Sequence, residues 1–348
     1  MTKTHSKYII VGAGLSGLTS AHQLVKEGEL DFIILEGSNQ IGGRIKTQNG
    51  IDVGATWLQP HHHYLDQMMT DLNIQKFEQY NSGKSILIYN SMAPAHYFES
   101  DTSQPSAYRI ADGSIAIIDA LAKVFHEKIV VDSKVLAISE TAKKLIIQTD
   151  TKSYTCDKLI VTIPPKLASS IIFEPKLPEE LIHAMVTTHT WMSNAIKIGI
   201  TFNTPFWRAK GLSGTIISQI SPVTELYDHC NFDHATFSLM GFVNEALRDE
   251  TPKNRKERIL SYLEKYIGSE IRGYSNYYEK DWAADTFTSN IHLKTVYINR
   301  QYGNPLFQQF YLGQKILFSG TETSEIQGGY MEGAVYSGIN AVDKLLNK

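Results

Sequence analysis

Apolar positions along this chain follow two rhythms, one of short unbroken runs and one with helical spacing. Residues 8–11, Tyr-Ile-Ile-Val, are such a run and rich in β-branched side chains, which predicts a buried strand. Leu18, Ala21, Leu24 and Val25 then recur on one helical face, and Gly28 ends that helix. Residues 31–35 predict a second buried strand, with Glu36 at its tip. Further along, residues 61–74 read as a helix with Leu65, Met68, Met69 and Leu72 on one side, residues 86–89 as a strand, and residues 115–125 as an apolar helix. Residues 129–140, 143–149 and 154–165 read as a three-strand meander stopped by Pro164 and Pro165, where a crossover between domains is expected. Residues 178–186 and 253–267 predict helices, and 195–202 and 236–243 predict strands. Residues 274–282 are aromatic-rich, 316–319 predict a strand, and 330–346 a closing helix.

Length and composition narrow this pattern without changing it. The 348 residues suffice for two domains or one large one. The net charge of −3 is mixed in sign along the chain, which argues against a nucleic-acid groove. Cys156 and Cys230 are the only cysteines, so neither a disulfide framework nor a paired-cysteine metal site is expected, and a reduced, cytoplasmic setting fits best. The first residues run directly into the opening strand without an h-region, so no signal peptide is expected. No apolar run is long enough to span a membrane.

The chemistry begins at the first strand. Gly12, Gly14 and Gly17 follow it in GxGxxG spacing, and Glu36 stands about 20 residues further on. In such a βαβ unit the first glycine permits the tight turn and the second lets backbone approach a pyrophosphate. The third lets helix and strand pack closely. The pyrophosphate sits on the helix N-terminus, and the acid accepts hydrogen bonds from ribose hydroxyls. Gly42, Gly43 and Arg44 follow the second strand and can bring backbone and a fixed cation toward the same ligand. The adjacent His61, His62 and His63 cannot all face one metal from a regular element, so an ordinary polar loop or helix start is expected. Lys197 is centred in an apolar strand; it is either partnered, functional, or snorkelling outward.

Several segments together resemble the flavin-containing amine oxidases, the group that includes monoamine and polyamine oxidases. These are residues 11–18, 35–44, 52–57, 133–138, 159–165, 195–207, 281–282 and 317–342, spread from one end of the chain to the other. The resemblance implies an α/β fold: a two-dinucleotide-binding, Rossmann-like FAD domain with an interleaved α+β substrate domain. The expected division is 1–58, 111–166 and 285–348 for FAD binding, with 59–110 and 167–284 for substrate. It further implies that Gly12, Gly14, Gly17, Glu36, Gly43 and Arg44 hold the adenosine and pyrophosphate. Val135 would pair its backbone with adenine, Glu322 would lie near the ribitol and pyrophosphate, and Met331 would open the helix facing the flavin. Lys197 matches the lysine that holds a water near the ring, Trp282 the tryptophan beside it, and Tyr330 one wall of an aromatic cage.

The sequence departs from that pattern in places. The second cage position falls on His292, and Asn290 and Ile291 stand where covalent-flavin members carry Gly-Cys, so non-covalent FAD is expected. The substrate part is short. Trp57, Trp191, Trp207, Tyr277, Tyr278 and Phe287 are candidates for lining the substrate cavity. The expectation is therefore FAD-dependent oxidative deamination of a small amine to an imine and then an aldehyde, with O2 reduced to H2O2. The rivals are a C–C desaturase or protoporphyrinogen-type oxidase, and a non-catalytic FAD-binding protein. An NAD enzyme would leave the Gly-Gly-Arg segment and the C-terminal helix without a role.

Overall fold

A computed structural model describes residues 4–90, 92–101, 103, 105–233, 235–289 and 302–347. Two sheets carry it. The first has eight strands around the opening strand His5–Val11, which is flanked in parallel by Phe32–Leu35 on one side and Ser153–Val161 on the other. Ser153–Val161 changes partners midway. Its second half pairs in parallel with Ile316–Phe318, and its first half pairs antiparallel with Leu145–Thr149. Ile9, Ile10, Leu159 and Ile160 are fully buried, as expected where both faces of a parallel sheet are covered. The first helix, Leu15–Lys26, and the last, Met331–Leu345, pack together on one face of this sheet.

The second sheet has seven strands in the order Asn276–Asp281, Ile196–Phe202, Phe237–Val243, Val223–Asp228, Leu212–Ser218, Lys84–Ile88 and His96–Glu99. Helix Pro252–Ile267 buries Ile259, Leu260, Leu263 and Ile267 against it, together with Arg255, which pairs with Glu279 on the edge strand. Strand Ile196–Phe202 lies inside this sheet with all seven residues buried, which excludes the snorkelling alternative for Lys197.

Three expectations need correction. Ile129–Val130 is not part of the meander; it leaves to pair in parallel with Phe32–Leu35, and only the next three strands form antiparallel neighbours. The crossover does not come at Pro164 and Pro165: Ile172–Glu174 still adds to the first sheet, and Leu181 and Met185 pack in its core. Helix His63–Asp71, expected in the substrate part, buries Leu65, Met68 and Met69 in the helical layer of the first sheet. No helix among the described residues is long and apolar enough to cross a membrane.

Candidate active site

The GxGxxG segment folds as its glycines require. Gly12 has φ +102°, a conformation L side chains rarely adopt. At Gly17 an added Cβ would lie 2.0 Å from the Gly12 carbonyl oxygen, so helix and turn touch only because no side chain is there. Gly14 differs: φ is −77° and a Cβ would meet nothing within 4 Å, because it would point into a cavity.

That cavity has a volume of about 530 Å³. Gly12, Gly14, Glu36, Gly43, Arg44, Val135, Tyr330 and Met331 all line it, although they come from opposite ends of the chain. Leu15 and Ser16, at the start of the first helix, face the same space, so the helix N-terminus opens on it. Glu36 is buried; its carboxylate accepts from the N–H groups of Ala13 at 2.7 Å and Ser38 at 2.8 Å. Burial raises its pKa, partly opposed by those two N–H groups. The Arg44 guanidinium forms a two-point ion pair with the fully buried Glu322 and donates to the Trp191 carbonyl at 3.2 Å. Glu322 is thus tied to the cavity through Arg44. Gly17 lies in the helix behind the cavity wall.

Lys197 and Trp282 do not line the cavity; both bond to one turn that does. Lys197 Nζ donates to the Gly54 carbonyl and to Thr56 Oγ1, both at 2.7 Å. The Trp282 indole N–H donates to the Val53 carbonyl at 2.7 Å. Ala55, within the turn they grip, lines the cavity, as does Ala283 beside Trp282. Lys197 also lies over the rings of Phe242 and Trp57, at 5.1 and 5.6 Å from their centroids. Burial pushes its pKa down to about 7; Asp52 pulls it up and Arg109 pushes it further down.

Tyr330 stands at the N-terminus of the last helix, half exposed, with its carbonyl held by Thr321 Oγ1 at 2.6 Å. His62 packs its ring against Tyr330 at 5.4 Å. The three histidines form the helix start that was one of the two expected readings: His62 stands at the N-cap of helix His63–Asp71, and His61 and His63 are exposed while His62 is buried, with Nδ1 accepting from Gln59 N–H. Burial and the neighbouring histidines push the His62 pKa down to about 4. His292, Asn290 and Ile291 lie outside the described residues. Of the six aromatic candidates, Trp191 and Phe287 line the cavity; Trp207 is core, donating to Asp228, and Trp57, Tyr277 and Tyr278 are not among the lining residues. Sequence reasoning missed Thr321, Met192 and the buried group Asp52, Arg109 and His229. Asp52 and Thr321 lay in segments already singled out, but neither was named.

The description "Flavin containing amine oxidoreductase" belongs to a family model that matches residues 15–94 and 86–346, so the chain belongs to that family. A probable flavin-containing monoamine oxidase A of Dictyostelium discoideum is 25% identical across 97% of this chain and 98% of its own. A putrescine oxidase of Kocuria rosea is 23% identical over 80% of this chain and 82% of its own. Among solved structures, a putrescine oxidase bound to putrescine superposes with TM-score 0.85 at 19% identity, over 99% of both chains. A cyclohexylamine oxidase from Brevibacterium oxydans superposes with TM-score 0.84 at 17% identity, over 99% of this chain and all of the other. The protein is accordingly an FAD-dependent amine oxidase.

The site fits that cofactor on its own geometry. One cavity is lined by the buried acid Glu36, by a helix N-terminus with a side-chain-free glycine, by the paired Arg44 and by a second helix start at Met331. These suit a ribose, a pyrophosphate and a ring that gains negative charge.

Proposed function

We propose that this enzyme oxidises a small primary or secondary amine that enters beside Tyr330, with FAD held without a covalent bond. Bound FAD supplies the two-electron acceptor and O2 restores it; the chain supplies binding, orientation and charge. Glu36 and Val135 would hold the adenosine end. Gly12, Gly14, Gly43 and the first-helix N-terminus would hold the pyrophosphate, with Gly17 allowing the close packing behind it. Arg44, aimed by Glu322, would face the phosphates, and Met331 would present the last helix to the ring.

Tyr330 would guide the amine by its ring face and edge, kept in place by Thr321 below and His62 behind. Trp282 and Lys197 would fix the turn at residues 53–56, and Lys197 could hold or give up a proton at Nζ near neutral pH. We read the first sheet and its helices as the cofactor part and the second sheet as the substrate part. One observation carries this reading. One cavity is lined both by Glu36 and by Tyr330, Met331 and Ala55, the last within the turn that Lys197 and Trp282 grip.

Anaerobic spectral titration of the purified protein with a panel of primary, secondary and cyclic amines tests it. Bleaching of the flavin by at least one amine, with imine or aldehyde released, is expected. A flavin that dithionite reduces but no amine bleaches would overturn it. Acid precipitation should leave the yellow colour in the supernatant, and colour retained on the polypeptide would refute non-covalent binding.

A further inference from the structure

Two helix starts meet at Tyr330, and a buried carboxylate joins them for which the proposed chemistry has no role. Helix His63–Asp71 begins one residue after His62, and the last helix, Met331–Leu345, one residue after Tyr330. The first N–H groups of a helix have no partner within it, and the side chain just before the helix ordinarily accepts from one of them. His62 does not fill that role. Its Nδ1 accepts instead from the Gln59 N–H at 3.1 Å, outside the helix. Glu332, in the first turn of the last helix, supplies the cap. It is 1% exposed, and its two oxygens accept from the N–H groups of Tyr64 at 3.0 Å and Leu65 at 2.7 Å. An acid in a first turn ordinarily complements the dipole of its own helix; this one holds the start of another, 267 residues away in the chain.

With the helix capped from elsewhere, the His62 ring is free for another contact. It packs against the Tyr330 ring at 5.4 Å between centroids, with the planes 61° apart, an edge-to-face arrangement. Because Nδ1 accepts, a neutral His62 carries its proton on Nε2, which no described residue bonds. Thr321 fixes the Tyr330 backbone through its carbonyl, but among the described residues His62 is the ring that touches the Tyr330 ring. His62 in turn moves with the helix it precedes, since its carbonyl accepts from the Asp66 N–H at 3.1 Å. The contacts therefore close a loop. Glu332 holds the helix start, the helix start holds His62, His62 holds the Tyr330 ring, and Tyr330 stands two residues before Glu332. Tyr64 and Tyr336, with ring centroids 5.1 Å apart, join the same two helices on the outside.

We propose that Glu332 is a positioning residue for amine binding: by capping helix His63–Asp71 from the last helix, it fixes His62 against Tyr330 and so sets the angle at which the Tyr330 ring meets the amine. This rests on the reading of Tyr330 given above. A half-exposed ring has little packing of its own to hold it, so the one ring behind it decides how far it can swing.

The test measures KM, kcat and the urea midpoint of the holoenzyme, with the amine of the titration panel that bleaches the flavin fastest. The variants are Glu332→Gln, His62→Asn and His62→Phe, each alone and combined with Tyr330→Ala. Glu332→Gln keeps an acceptor for one of the two N–H groups and turns a donor toward the other. It should raise KM about fivefold, within the range by which contacting residues couple, and change kcat less. His62→Asn keeps an acceptor for Gln59 but loses the ring, and should raise KM alike. His62→Phe restores the ring without the acceptor and should recover most of that loss. In the Tyr330→Ala background none of these changes should raise KM further. Should Glu332→Gln not fold, Glu332→Asp shortens the same cap by one carbon and should raise KM in the same way. A lowered urea midpoint with KM unmoved would make Glu332 a structural cap only and overturn the proposal. Increases that add in full to that of Tyr330→Ala would overturn it too. If Tyr330→Ala itself leaves KM unchanged, the reading of Tyr330 fails and takes this proposal with it.

Discussion

Two glycines of one motif should respond oppositely to the same methyl group. At Gly17 the added Cβ would sit 2.0 Å from the Gly12 carbonyl oxygen and 2.9 Å from Thr162 Oγ1. An ordinary contact begins near 3.4 Å, so helix and turn must separate by roughly 1.4 Å. Overpacking of this kind costs about 1–3 kcal/mol and occasionally more, and backbone as the obstacle places Gly17→Ala at the upper end. At Gly14 nothing lies within 4 Å and φ is −77°, so Gly14→Ala meets no clash in the protein. Its reduced freedom when unfolded should even stabilise the apoprotein, by about 0.4–1 kcal/mol. Its methyl, however, enters the cavity where the pyrophosphate is placed, and the same overpacking of about 1–3 kcal/mol then falls on FAD binding, roughly 5- to 150-fold in Kd. Urea unfolding of the apoproteins and FAD titration by flavin fluorescence separate the two effects. Gly17→Ala should lose stability first and FAD as a consequence; Gly14→Ala should keep its stability and lose FAD. A Gly14→Ala protein that binds FAD like wild type would refute this placement of the pyrophosphate.

Other outcomes follow from the buried groups. Unfolded Lys197 keeps its proton up to about 10.5 and the folded chain releases it from about 7, so this residue adds stability as pH rises through that window. Lys197→Met should therefore flatten the rise in urea midpoint between those pH values; an unchanged slope would contradict it. His62 and His229 resist protonation until about pH 4, while the unfolded side chains take protons near 6.5. Stability should accordingly fall as pH drops from 6.5 toward 4, and His62→Gln should blunt that fall when the urea midpoint is followed across the window. Trp282→Phe removes the indole donor from the Val53 carbonyl and should cost about 1–3 kcal/mol in urea unfolding, together with slower flavin reduction by amine in stopped-flow. Tyr330→Ala should raise KM without loss of FAD, since a half-exposed ring supports little of the fold, and steady-state kinetics would show it.

The glycine turn and its acid were legible because their signals are local. A strand, three glycines, a helix and an acid fall within some thirty residues, and the structure brings Gly12, Gly14 and Glu36 to one cavity wall. Lys197 was only half legible: its apolar strand left it partnered, functional or snorkelling, the resemblance singled it out, and the structure gives it Gly54 and Thr56 as partners. The charges behind it were not legible. Arg109 and His229 are 120 residues apart, and Asp52 and His229 are 177 apart, so no spacing links them. The histidines open a helix, as one of the two expected readings had it, but the burial of His62 was not legible, since its ring packs against Tyr330 at the far end of the chain. Strands Leu212–Ser218 and Val223–Asp228 were missed because serine, glycine and threonine interrupt their apolar pattern, and only pairing within the second sheet makes them strands.

The account turns on which end of the cavity receives the flavin ring. A crystal structure of the purified yellow protein with its own FAD settles this most directly. The adenosine is expected beside Glu36 and Val135, and the ring between Tyr330, Met331 and the turn that Lys197 and Trp282 hold. A ring placed at Glu36, or electron density for FAD outside this cavity, would contradict it.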